Sequence, residues 1–140
     1  MKRTAKCACG AVEAAASGEP YAIVMCHCRA CQKRSGSPYG LGVYFQRAQV
    51  DVTGETKVHR RQGDSGAGLQ NYFCPECGTT VYWLTELHPD GIAIAHGLFE
   101  DGTLAAPERS VWEITRHAWV HVPAEQRYLM GRAGPRVAPD

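Results

Sequence analysis

Seven cysteines in 140 residues, gathered in three tight groups, are the side chains of this sequence best suited to chemistry. The groups are Cys7-Ala-Cys9-Gly10, Cys26-His-Cys28-Arg-Ala-Cys31 and Cys74-Pro-Glu-Cys77-Gly78. The last is the most specific when read alone. A two-residue spacer in a tight turn lets both thiolates point at one ion, and the glycine that follows takes a backbone conformation a side chain would resist. Phe73 before it and Val81, Tyr82 and Trp83 after it predict the two strands of a hairpin that carries the turn. Cys7 and Cys9 have a similar setting, a short strand followed by Gly10 and a returning Ala11-Val12-Glu13. Joining the two turns makes a four-sulfur structural zinc site from Cys7, Cys9, Cys74 and Cys77, closed to substrate. A ribbon built from Cys28, Cys31, Cys74 and Cys77 is the alternative, but it strands Cys7, Cys9 and Cys26. Four plus three is the more economical partition.

The remaining group, Cys26, Cys28 and Cys31, then becomes the place for catalysis. The stretch from Arg29 to Arg34 predicts a short helix, whose first N–H groups would stabilise thiolates at its entry. Three protein ligands and one open position are the pattern of a catalytic zinc ion. Three thiolates on a dication make a weak Lewis acid, and such a site suits a soft incoming ligand such as a substrate thiol. His27 could close the site as a fourth ligand, although a residue flanked by two ligands usually points away from their ion. A redox reading of Cys28 and Cys31 lacks the βαβ surroundings that such pairs normally have.

The elements that must position these groups are short. Glycines and prolines recur at close intervals, and between them lie strand-sized runs rich in β-branched and aromatic residues. Tyr39 to Phe45, Lys57 to Arg61, Leu69 to Phe73, Thr79 to Leu84 and Ile92 to His96 are such runs, so the expected fold is mainly β. Residues 1–130 read as one zinc-binding domain and 131–140 as a flexible C-terminal tail. Gly63, Gly66 and Gly68 fit neither phosphate-binding spacing and read as a mobile loop. A formal charge of +1 argues against nucleic acid and anionic lipid as partners. No run reaches the roughly 18 apolar residues of a membrane span, and no secretory signal opens the chain. A cytoplasmic, reducing location is the resulting expectation, which favours metal or catalytic thiols over disulfides. Exposed sheet edges leave a homodimer possible.

Taken together, CxCG near the N-terminus, CHCxxCQKxSGSPYG and FCPECGTTVYW resemble the glutathione-dependent formaldehyde-activating enzyme family, which includes centromere protein V. The resemblance covers roughly residues 5 to 120, with further echoes in Gly97-Leu-Phe-Glu-Asp101 and in Pro107, Trp112, Arg116 and Trp119. It implies small coiled β-sheets around zinc knuckles and two zinc ions per chain. In that family Cys7, Cys9, Cys74 and Cys77 match the structural ligands, and Cys26, Cys28 and Cys31 the catalytic ones. The implied activity is that of a zinc-dependent carbon–sulfur lyase interconverting formaldehyde plus glutathione with S-hydroxymethylglutathione. Asn71 stands where the family often has a basic residue, and Ser110 where a histidine is common. Arg29, Lys33, Arg34, Arg60 and Arg61 are available to hold glutathione carboxylates, and Glu76, His27, Glu100 and Asp101 to carry a proton. Tyr82, Trp83, Trp112 and Trp119 read as core rather than a ligand-stacking box, with a pocket wall beside the zinc as the alternative for some of them. The competing class is a non-catalytic module with two structural metals and a partner-binding surface.

Overall fold

The computed structural model describes residues 1–138. In chain order its strands are β1 (Lys2–Lys6), β2 (Glu13–Ser17), β3 (Ala22–Cys26), β4 (Gly40–Gln46), β5 (Val50–Thr53) and β6 (Lys57–Gln62). They continue with β7 (Gly68–Phe73), β8 (Thr80–Thr85), β9 (Gly91–Ala95), β10 (Arg109–Val111) and β11 (Gln126–Arg127). The single α-helix among the described residues, α1 (Arg29–Ser35), follows β3 closely. The fold is mainly β, and each of the five strand runs expected from the sequence has its strand. No helix among the described residues is long and apolar enough to cross a membrane.

Two sheets form. β1, β2 and β5 make a small antiparallel sheet, while the other eight strands lie in the order β11-β10-β3-β4-β9-β8-β7-β6. Alternation assigns the two faces of the large sheet to different tasks. Val43 and Phe45 of β4, with Ile92 and Ile94 of β9, point to one side and pack with Val12, Ala14 and Ala16 of the small sheet. Phe45 and Ile94 are fully buried, and each such side chain stabilises the fold by about 2 to 3 kcal/mol. β2 escapes a propensity reading because it is written Glu-Ala-Ala-Ala-Ser, in residues that strands usually avoid. Its buried alanines carry no bulk, so the backbone of β2 can lie close to the apolar side chains of β4 and β9.

β10 is the topological surprise. It pairs in parallel with β3, with Arg109 opposite Val24 and Val111 opposite Cys26. A segment more than eighty residues downstream thus flanks the cysteine-bearing strand. Residues from 131 onward, expected to be a flexible tail, fold back over this region. Val137 N–H donates to the Arg127 carbonyl at 2.9 Å, and the Arg136 guanidinium lies 5.0 Å from the Tyr128 ring centre. Pro139 and Asp140 of that stretch lie outside the described residues.

Candidate metal centres and the groove beside one of them

The two outer cysteine groups are built alike. Cys7 N–H donates to the Val12 carbonyl at 3.0 Å, and Cys74 N–H to the Thr79 carbonyl at 2.9 Å, so each turn closes across five residues. Each then needs a left-handed residue, supplied by Gly10 (φ 80°) and Gly78 (φ 78°). Thr79 ties the turns together, because its hydroxyl accepts from Ala8 N–H at 3.2 Å and lies 3.2 Å from Cys77 Sγ. The sulfurs of Cys7, Cys9, Cys74 and Cys77 all fall within 4.8 Å of one another. Cys7 and Cys74 are buried, whereas Cys9 and Cys77 face outward. Cys77 has its pKa lowered to about 5, first by the Thr79 hydroxyl, whereas Cys9 is pushed up to about 12. Four sulfurs from two knuckle turns fit a tetrahedral ion of zinc type.

Cys26, Cys28 and Cys31 form the second group, again with sulfurs within 4.8 Å. Cys26 ends β3, Cys28 caps α1, and Cys31 lies in the first turn of that helix. The cap is direct, with Cys31 N–H donating to Cys28 Sγ at 3.3 Å. Hydrogen bonds from the Cys26 and Cys31 thiols, in that order, hold the Cys28 thiol far below its ordinary value. The same coupling drives Cys26 well up, with burial adding to the effect. One thiolate supported by two thiols is what three converging sulfurs adopt without a counter-charge, and a bound cation would deprotonate all three. The donor set therefore fits a soft divalent ion with one position left over.

His27 takes no part in that cluster. It is fully buried, its Nε2 shares a 3.0 Å hydrogen bond with Ser110 Oγ, and its ring packs 5.9 Å from that of Tyr39. Burial lowers its pKa to about 4, so the imidazole is neutral, and Nδ1 has no hydrogen-bond partner. Behind Ser110 lies a buried ion pair. Arg127 donates through Nε and Nη2 to the two Glu113 oxygens at 3.0 and 2.7 Å, and Arg116 Nε stands 3.2 Å from the same carboxylate. The His27 carbonyl accepts from Thr115 Oγ1 at 2.7 Å and Gln32 Nε2 at 2.9 Å. Alternation at the Cys-His-Cys step thus sends two sulfurs one way and the imidazole into a braced wall. Ser110, the departure from the family pattern, is a component of that wall.

The sulfurs of the second group line a groove of about 160 Å³ on the face of the large sheet opposite the core. Its floor is open because β4 carries glycine there. A Cβ on Gly42 would stand 2.6 Å from the Trp83 ring, and one on Gly40 would stand 3.1 Å from the Cys31 Cβ. Trp83 walls the groove under the Arg34 guanidinium, 4.1 Å from its ring centre. Tyr44 is beside it, its phenol pushed up to about 12 chiefly by burial.

Several expectations change here. Trp83 is buried as expected but also walls the groove, Trp112 lines the groove half-buried, Trp119 is 74% exposed, and Tyr82, stacked 4.6 Å from Tyr72, packs half-buried against the core. Bulk and aromaticity did not reveal which face of its strand each ring occupies. Of the basic candidates, Arg34 and Arg61 line the groove, while Arg29, Lys33 and Arg60 do not. None of the expected proton carriers reaches it. Glu76 is exposed beside the four-sulfur group, and Asp101 lies 3.8 Å from Arg3. The groove's own titratable side chains, besides the cysteines and arginines, are Tyr44, Asp64 and His88. Nothing local in the sequence pointed to these, nor to Arg109 and Arg132, because only sheet register and loop return bring them in.

A family model described as glutathione-dependent formaldehyde-activating enzyme matches residues 2–115 of this chain. None of the curated proteins compared with it matches. Among solved structures, a Rhodobacter sphaeroides protein is similar in fold, with a TM-score of 0.56 at 18% identity. That similarity covers 74% of this chain and 91% of the other.

Proposed function

Starting from the premise that this chain belongs to the glutathione-dependent formaldehyde-activating enzyme family, we propose that it is a zinc-dependent carbon–sulfur lyase. Its substrate would be S-hydroxymethylglutathione, interconverted with formaldehyde and glutathione in the cytoplasm. The observation that carries this reading is the contrast in surroundings. Cys26, Cys28 and Cys31 border the groove, whereas Cys7, Cys9, Cys74 and Cys77 are held in paired turns away from it. Cys26, Cys28 and Cys31 would hold the reactive zinc, and Cys7, Cys9, Cys74 and Cys77 a second, structural one.

A bound zinc ion would supply a position for a substrate sulfur and lower the pKa of that thiol. The remaining work falls to the chain. α1 directs its first N–H groups toward Cys28 and favours negative charge at the cluster. Arg34 and Arg61 add to this, since their charges favour the thiolates of Cys31 and Cys28 respectively. Trp83, Val24 and Leu69 give the groove apolar walls that exclude water from a carbon–sulfur bond under attack. The hydroxymethyl oxygen needs a proton acceptor in one direction and a donor in the other. Tyr44 stays protonated and donates a hydrogen bond, while His88, its pKa lowered first by burial, is neutral and can accept.

The test is equilibration of formaldehyde with glutathione, followed by NMR exchange, together with zinc counting by native mass spectrometry. The expected result is catalysed exchange and two zinc ions per chain, with Cys28→Ala retaining one ion, a native melting curve and no catalysis. Two ions with no acceleration over the uncatalysed reaction would overturn the lyase reading in favour of a zinc-binding module.

A further inference from the structure

We propose that the groove contains a separate anion subsite, in which Arg109 and Arg132 bind a carboxylate of the thiol substrate. This inference rests on the functional reading above and adds the determinant of which thiols are accepted.

Charge is the first observation. Arg34, Arg61, Arg109 and Arg132 line the groove against a single carboxylate, Asp64. Two of the four are already engaged, Arg34 over the Trp83 ring and Arg61 through its 3.1 Å bond to the Gln62 carbonyl. Arg109 and Arg132 are not. Neither forms an ion pair with another described residue, and Arg109 Nε is buried without a hydrogen-bond partner. A guanidinium N–H left unpaired away from water costs about 1 to 3 kcal/mol. The fold bears that cost at the wall of a groove, where an arriving acceptor can remove it.

Register supplies the second observation. Arg109 stands opposite Val24 and Val111 opposite Cys26, so Arg109 lies two residues, about 7 Å, along the sheet from the cysteine level. A carboxylate held there lies several bonds from a sulfur held at the cysteines, which a peptide thiol spans and a two-carbon thiol does not. Arg132 reaches the same place from the returning C-terminal segment. Arg109, Arg132 and His88 all line this one groove, and both guanidinium charges, Arg132 first, act with burial in lowering the His88 pKa.

Backbone strain is the third. Trp112 is the only non-glycine residue with positive φ among the described residues, at 59°, a conformation that costs a bulky side chain about 1 to 2 kcal/mol. Its N–H donates to the Met130 carbonyl at 2.8 Å, which fastens the segment bearing Arg109 to the one bearing Arg132. The strained residue itself lines the groove, as both arginines do. Arginine is the suitable residue for such a subsite, since its planar fork can bind a carboxylate through two parallel N–H groups.

The experiment uses the metal-loaded protein, zinc for the first probe and cobalt for the second, and the two probes divide the substrate. S-Methylglutathione keeps both carboxylates but has no free thiol, and its affinity is read by calorimetry. 2-Mercaptoethanol has the thiol and no carboxylate, and is read through the visible spectrum of the cobalt-substituted protein. Arg109→Gln and Arg132→Gln are each expected to weaken S-methylglutathione by about tenfold or more while leaving the 2-mercaptoethanol response unchanged. Lys57→Gln, exposed and away from the groove, should leave both responses unchanged. Because Arg132 is exposed, its variant decides the matter if Arg109→Gln fails to fold. Wild-type affinity for S-methylglutathione in Arg132→Gln, or no binding by the wild type, overturns the anion subsite whatever the lyase assay shows. Arginine-dependent binding without formaldehyde exchange supports the subsite and sinks only the reaction.

Discussion

The two cysteine clusters are made from the same ligand and differ in what stands behind and in front of each. The four-sulfur cluster is assembled from two turns of nearly identical hydrogen bonding, one on each sheet, so that it joins β1 and β2 to β7 and β8. Its support is the turns themselves. The three-sulfur cluster comes from a single strand-to-helix step and joins nothing distant. Its support is a buried wall of His27, Ser110, Glu113 and Arg127, and its front is a groove. The four-sulfur cluster is framed by its own two turns, and the three-sulfur cluster faces space that the sheet keeps clear with Gly40 and Gly42. Thiol identity therefore does not distinguish the two clusters, whereas the open face does.

That comparison can be broken by removing one thiol from each cluster. Cys74→Ala removes a fully buried ligand shared by two sheets and should cost on the order of 5 kcal/mol or more, with loss of a cooperative thermal transition. Cys28→Ala should instead lower the exchange rate by about 1,000-fold or more, close to 4 kcal/mol of barrier, while the melting temperature shifts by only a few degrees. Equal unfolding of the two variants would erase the distinction between closing and reactive clusters.

The wall behind the three-sulfur cluster gives a pH signature that the other cluster lacks. His27 titrates near 4 in the fold against 6.5 unfolded, so the unfolded chain takes up its proton first as pH falls. Stability from this group is complete above pH 6.5 and declines between pH 6.5 and 4, by at most about 3 kcal/mol. Denaturant melts at pH 7 and pH 5 should show a smaller difference in His27→Gln than in wild type. An equal difference would mean that the wall does not hold its imidazole neutral.

The smallest effect sharpens the role of the cleared floor. Gly42→Ala places a methyl group 2.6 Å from the Trp83 ring, so the ring must shift into the groove or away from Arg34. KM for glutathione should rise several-fold with melting changed by about 1 to 2 kcal/mol. A changed kcat with constant KM would instead tie Trp83 to the reacting atoms.

Much of this protein is local in origin, and that part was legible in the chain. The knuckles are turns of a few residues whose glycines and cysteines must stand in fixed order. The helix after Cys28 begins where its cap is, and β4, β7, β8 and β9 are written in residues that suit a pleated surface. The four-plus-three grouping of sulfurs was the more economical of two partitions that the spacing allowed, and the coordinates bring together the same two groups. The groove is different. Arg109 reaches the cysteine strand only because β10 pairs in parallel with β3, and Arg132 only because the chain returns after β11. Trp83 faces the groove while the buried Ile94 faces the core because register assigns alternate residues to opposite sides of a sheet, a choice that depends on partners far along the chain. Metal-ligand types and turns are short-range chemistry, set by the sequence itself. Which side chains surround the open sulfur position depends on long-range strand pairing, and only the folded structure decides it.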